Sequence, residues 1–326
     1  MHVLRKLLAA SAAAVMAVAS GALVAHADTT PTVYNTPGGQ VSEGRLWNTT
    51  CDKYSSNVVR CRAEIWATTV QYRGGRYVSV TGWTFNNLSY LPSARSLWAA
   101  NNLGRNNPGW TSEGRRWRTE CDTAATGRGG CRSYIWTKQV RWNGSAYVSA
   151  NAWVFNNLVL FSSASVPAVT AVPAWIIDQS RLDVTGLGPL QVGTRMTDLG
   201  KLGYARWRNR EGCEYWDPSA ALTTRGIDLW PSQKLIAVVA EAPGILTVDG
   251  AHVGMTLAEV RALYGSRITL EEKEGYEPVF TAVVKRGGYE LVFLNGFGLD
   301  RPLVDADVIN MIIARKGGEP LLWEGC

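Results

Sequence analysis

The sequence predicts an α+β chain of several domains, with β-rich tandem modules followed by an α+β domain of short helices on an antiparallel sheet. Three observations carry that reading. The chain repeats itself at an offset of 70 residues, with 22 identities over the 50 positions from Ser42 to Leu91 and no gap. A Ser/Ala/Pro stretch at 162–174 ends the repeated part, and the net charge reverses across it, from +8 over Asp28–Val169 to −4 over Thr170–Cys326. Beyond it, a capped-helix signature precedes several apolar runs of strand length.

Taken in chain order, the first 27 residues read as a signal peptide rather than structure. Arg5 and Lys6 precede an Ala-rich, uncharged stretch from Leu7 to Val24, and Ala25-His26-Ala27 places small residues where a signal peptidase reads, before Asp28. The expected protein is therefore secreted, with no membrane span. Only His252 of the three histidines remains after cleavage. A Ser-His-Asp triad or a His-rich zinc site would have to be built around that one residue.

The modules occupy 28–161, with copies at about 40–91 and 110–161. Ser42-Glu43-Gly44-Arg45 returns as Ser112-Glu113-Gly114-Arg115, and Trp83-Thr84-Phe85-Asn86-Asn87-Leu88 as Trp153-Val154-Phe155-Asn156-Asn157-Leu158. Cys51 and Cys61 return as Cys121 and Cys131. An even number of cysteines in an oxidising compartment implies disulfides. The paired recurrence gives Cys51–Cys61 and Cys121–Cys131, and elimination leaves Cys213–Cys326. No CxxC spacing supports a metal, and no cofactor is expected.

Each copy reads as a β-hairpin. Gly74-Gly75 is a two-residue turn signal that sets Tyr72 opposite Tyr77 and Trp66 opposite Trp83. The same register in the second copy sets Trp142 opposite Tyr147 and Trp136 opposite Trp153, whereas a turn on Asn143-Gly144 would slip it or add a bulge. The aromatics admit two readings, a sugar-binding surface or the core that a module of this size needs. Tyr90 and Trp110 have no match in the other copy, which makes them candidate exposed ligand contacts, together with the turn cations Arg45 and Arg115. Glu43, Glu113, Asp52 and Asp122 are carboxylates of duplicated turn elements, better suited to turns and ion pairs than to an acid pair. Between the copies, Ser93 to Leu103 suggests a helix capped by Ser93 and stopped at Gly104.

After the linker, 175–326 contains Val253-Gly254-Met255-Thr256-Leu257-Ala258-Glu259-Val260, a helix with a Thr256/Glu259 capping box that Gly265 stops, and a degenerate earlier counterpart at Val192–Gly203. Strands are expected at Gly226–Glu241, Arg267–Leu270, Phe280–Lys285, Tyr289–Leu294 and Val308–Arg315. The Val-Gly-Met-Thr helix followed by antiparallel strands resembles the β-lactamase inhibitory protein and the small outer-membrane assembly lipoproteins. That resemblance implies short helices on one face of a sheet and a protein partner on the other. The whole chain resembles uncharacterised secreted Trp/Cys tandem-repeat proteins of high-GC Gram-positive bacteria.

No Gly-x-Ser-x-Gly elbow, His-Glu-x-x-His or Walker loop occurs, so the expected function is non-enzymatic binding. The basic modules suit an anionic envelope polymer or glycan, and two equal copies suit a repeating ligand. Their cations are scattered singly among tryptophans, which argues against nucleic acid. The acidic C-terminal domain suits a protein partner. The alternative is a secreted inhibitor acting through the C-terminal sheet.

Overall fold

The structure is a computed structural model that describes residues 32–210, 213–274, 278–296, 301–318 and 321, with 210 and 213 described by backbone alone. The expected signal peptide and the expected Cys213–Cys326 bond lie outside the described residues. Strands dominate. β1 (Gly38–Ser42), β2 (Arg45–Ser55), β3 (Val58–Arg73), β4 (Arg76–Ser93), β5 (Asn107–Ser112), β6 (Arg115–Cys121), β7 (Gly130–Trp142) and β8 (Tyr147–Phe161) form one sheet in the order β1-β2-β3-β4-β8-β7-β6-β5.

Each sequence copy contributes four antiparallel strands, and the copies join where β4 runs parallel to β8. At the seam Leu88 lies beside Asn157 rather than beside its own equivalent, Leu158. Neighbours on paired strands share a face and successive residues alternate. Equivalent side chains of the two copies therefore point to opposite faces of the sheet.

The local register follows from the turns. Glu43-Gly44 and Glu113-Gly114 each hold two successive left-handed residues (φ 50° and 70°, then 50° and 71°), the geometry of a type I′ hairpin turn. Gly74-Gly75 does the same at φ 55° and 81°. In the second copy, the Asn143 side chain accepts hydrogen bonds from the Ser145 and Ala146 N–H groups and closes the loop around Gly144 without a slip. The pairs Tyr72–Tyr77, Trp66–Trp83, Trp142–Tyr147 and Trp136–Trp153 all form. Both copies interrupt the ladder at the same place, after Ala63 and after Ser133.

The disulfides Cys51–Cys61 and Cys121–Cys131 close cross-strand pairs of β2–β3 and β6–β7. Beyond them the copies diverge: β2 and β3 continue as a hairpin, whereas the second copy makes a 3-10 turn, Ala124–Thr126. The segment between the copies corrects the sequence reading. Its helix is only a 3-10 turn, Arg95–Trp98, and Ser93 does not cap it. The Ser93 hydroxyl instead accepts from the Trp98 indole N–H inside the core. The Asn101 side chain binds the Leu103 N–H, a local bond that competes with helix.

The C-terminal part contains a six-stranded antiparallel sheet, ordered Ile227–Pro231, Leu235–Ala240, Met311–Lys316, Tyr289–Leu294, Val279–Arg286 and Ile268–Lys273. The expected strand Gly226–Glu241 is thus a hairpin, bent after Pro231. Helix Leu257–Tyr264 carries the Thr256/Glu259 capping box and ends at Gly265. With helix Met196–Lys201 it packs on one face of the sheet, where Leu199, Leu257, Val260 and Tyr264 share a core with Val238, Leu291, Phe293 and Ile312. The opposite face, with Val239, Val292, Leu294 and Ile313, is also buried.

That first core extends into the N-terminal sheet. Leu46 of β2 belongs to it, and Trp66 and Trp83 pack against it. The Tyr204 hydroxyl, held protonated to high pH by burial, donates to the Gly39 carbonyl at 2.7 Å. A side chain at Gly38 or Gly39 would meet Trp175 at 2.6 Å or Leu202 at 2.8 Å, so the close approach requires glycine at both positions.

Candidate functional site

Past the seam, the hairpins β3–β4 and β7–β8 project as two arms whose tips meet. Tyr72 and Tyr77 pair across one tip at 5.0 Å between ring centroids, and Trp142 and Tyr147 across the other at 5.1 Å. Tyr77 contacts Tyr147, its own sequence equivalent, at 5.8 Å and reaches the Ser149 hydroxyl at 3.5 Å. Four rings thus form a chain over the junction.

Between the arms lies an open cleft of about 650 Å³, lined from β3 by Thr68, Thr69, Val70, Gln71 and Tyr72. The facing wall is Lys138, Gln139, Val140, Arg141 and Trp142 of β7, with Tyr147 and Ser149. Among the described residues the lining contains two cations and no carboxylate. Tyr72 is 58% exposed, Trp142 57% and Tyr147 40%, so these rings are not core residues. Exposed aromatics beside hydroxyl, amide and cationic groups can stack on an apolar ring face while hydrogen-bonding its substituents.

The second copy carries this chemistry beyond the cleft. The Arg118 guanidinium lies 4.9 Å from the Tyr134 ring and 5.2 Å from Trp153. Arg116 stands 5.7 Å from Trp136 and 5.9 Å from Trp153, and Arg132 lies 5.1 Å from Phe155. All are within the range of cation–π attraction. The first copy keeps one of these contacts, Arg62 at 4.6 Å from Phe85, and differs at the others. Leu46 stands where Arg116 does, and Lys201 from the C-terminal part lies 5.3 Å from the Trp66 ring. The two copies are therefore unequal as surfaces.

Of the residues singled out from sequence, Tyr90 is corrected. It is 4% exposed and packs against Trp98 and Tyr54 in the seam core, so it cannot meet a ligand. Burial raises its pKa accordingly. Trp110 is half-buried and stacks on Trp117 at 5.4 Å. Arg45 and Arg115 are exposed at the β1–β2 and β5–β6 turns, outside the cleft lining. Glu43 and Glu113 occupy turn positions, Asp52 pairs with Arg60 at 2.9 Å, and Asp122 with Arg95 at 2.6 Å. His252 binds the Val253 carbonyl through Nδ1 in the loop before the helix.

The cleft residues Tyr72, Lys138, Arg141, Trp142 and Tyr147 are not among the contacts expected from the sequence. The signal was there in the period-two pattern of β7, where Arg132, Tyr134, Trp136, Lys138 and Trp142 fall on one face. No family model, curated protein or solved structure matches the chain.

Proposed function

We propose that this is an exported, non-enzymatic binding protein whose N-terminal tandem modules hold an anionic polymer or glycan of the cell envelope. The observation that carries the reading is the cleft between the arms, with its exposed Tyr72, Trp142 and Tyr147, its cations Lys138 and Arg141, and no carboxylate. The basic balance of the modules favours the same ligand charge. Two disulfides, and no described helix long and apolar enough to cross a membrane, are compatible with a secreted protein. In this reading the acidic C-terminal domain holds the first copy and meets a separate protein partner. The inhibitor alternative, which rests on an open sheet face, has less support, because the face opposite the helices is buried.

Sedimentation of the full-length protein with purified cell-wall material tests the proposal. The protein should pellet with the wall at low salt and be released as salt rises through ~0.1 M, where charges are screened beyond about 10 Å. A protein that stays wholly in solution at low salt overturns it.

A further inference from the structure

We infer that the ligand is an acidic polysaccharide chain and that its track runs along the second copy, on one side of β7 from Trp142 to Arg132. This rests on the binding function proposed above and specifies its site and chemistry. Arg132, Tyr134, Trp136, Lys138, Val140 and Trp142 share one face of β7, a track of about 33 Å at ~3.3 Å per residue. Strand pairing sets Tyr147, Trp153 and Phe155 of β8 beside it, and Arg118 of β6 opposite Tyr134. The track opens at one end into the cleft, which Lys138, Val140, Trp142 and Tyr147 line.

Most of the charge on this track is available, although Glu120 of β6 lies opposite Arg132. Among the described residues, Arg118 alone of Arg116, Arg118, Arg132 and Lys138 has a carboxylate within ion-pair distance, Glu120 at 3.5 Å. A guanidinium held over a ring is fixed in place before any ligand arrives and keeps its N–H rim for a carboxylate. The exposed Trp142 and Tyr147 add ring faces at the open end. Carboxylates at intervals on a chain of apolar-faced rings answer both features, and an acidic polysaccharide is such a chain.

The matching strip on β3 reads Arg62, Glu64, Trp66, Thr68, Val70 and Tyr72. Its one cation is already paired, Arg62 to Glu64 at 3.0 Å. The C-terminal part packs against Trp66 in the middle of that strip. The first copy therefore forms a wall of the cleft but offers no continuous track.

The test measures binding of full-length protein to polygalacturonate, with dextran, polyglutamate and single-stranded DNA as comparison polymers. The informative variant is Arg118→Asn with Lys138→Thr, since Asn48 and Thr68 occupy those positions in the first copy and the fold accepts them there. It should bind polygalacturonate about tenfold more weakly, with a flatter salt dependence, as expected for two partly exposed charges. Trp142→Ala should weaken binding several-fold, and Arg62→Ala in the first copy should leave it unchanged. Dextran should bind far more weakly than polygalacturonate.

Wild-type affinity in the double variant, or an equal loss from Arg62→Ala, overturns the track while leaving the wall-binding function standing. Equal binding of polyglutamate or DNA overturns the polysaccharide assignment, as does wall binding without any affinity for polygalacturonate. A protein that binds neither wall nor polygalacturonate removes the underlying function.

Discussion

The two sequence copies share a strand register, a disulfide and a ladder irregularity, yet they meet different neighbours. On the first, Leu46 and the Trp66–Trp83 pair are covered by the core beneath helix Met196–Lys201. On the second, Arg116 and Arg118 of the same copy lie over the Trp136–Trp153 pair. The substitutions track the difference. Leu46 corresponds to Arg116, Asn48 to Arg118, and Gln40, buried and donating to the Thr36 carbonyl, to Trp110, which stacks on Trp117. The same hairpin can thus present an apolar docking face or a cationic one, and a few positions decide which. Duplication left one copy to be held and the other to face solvent.

Exchanging the deciding residue should give the largest effect. Leu46→Arg places a charge in a core where Leu46 is 8% exposed, so it should cost about 3–5 kcal/mol, the penalty of an unpaired buried charge. Arg116→Leu, at an exposed position, should change stability by less than about 1 kcal/mol. Urea unfolding of both variants measures the contrast. Equal effects would mean that the packing of the first copy on the C-terminal core contributes little.

The tryptophans sharpen the same contrast at smaller scale. Trp66→Ala removes packing against the C-terminal core and should cost about 3 kcal/mol, whereas Trp136→Ala removes a part-exposed ring set against Trp153 and Arg116, for about 1 kcal/mol. Next in size is the hydrogen bond that ties β1 to the C-terminal core. Tyr204→Phe leaves the buried Gly39 carbonyl without its donor and should cost about 1–2 kcal/mol. Full stability in the Phe variant would show that another donor or water takes the carbonyl.

The features legible in the sequence are those set by neighbours along the chain. Gly74-Gly75 fixes the register that pairs Trp66 with Trp83, and Thr256 with Glu259 fixes a helix start, because each acts within a few residues. The disulfides Cys51–Cys61 and Cys121–Cys131 follow for the same reason. What escapes depends on contacts between distant segments. Tyr90 has no counterpart in the second copy, where Leu160 stands, and its partner Trp98 lies in the segment between the copies and occurs once. The parallel seam of β4 and β8 brings the arms together, and no local pattern announces it. Without the seam, Tyr72 and Trp142 are two unrelated hairpin tips. With it, they border one cleft.

The smallest effect is the one that should be the same in both copies. Glu43 and Glu113 hold φ of 50°, the left-handed region that costs an ordinary residue about 1 kcal/mol, and each is followed by a glycine that takes it freely. A type I′ turn favours Asn at the first position, since its short side chain tolerates that backbone. Both glutamates are exposed at equivalent turns. Glu43→Asn and Glu113→Asn should therefore each stabilise by about 0.5 kcal/mol, and the double variant by the sum, because separated sites add. Thermal unfolding of the two single variants and the double variant measures this. Equal gains would place the inequality of the copies in their surroundings rather than in the hairpins themselves. A gain in only one would mean that the C-terminal part strains or steadies the β1–β2 turn through the adjoining Gly38–Gly39 contact.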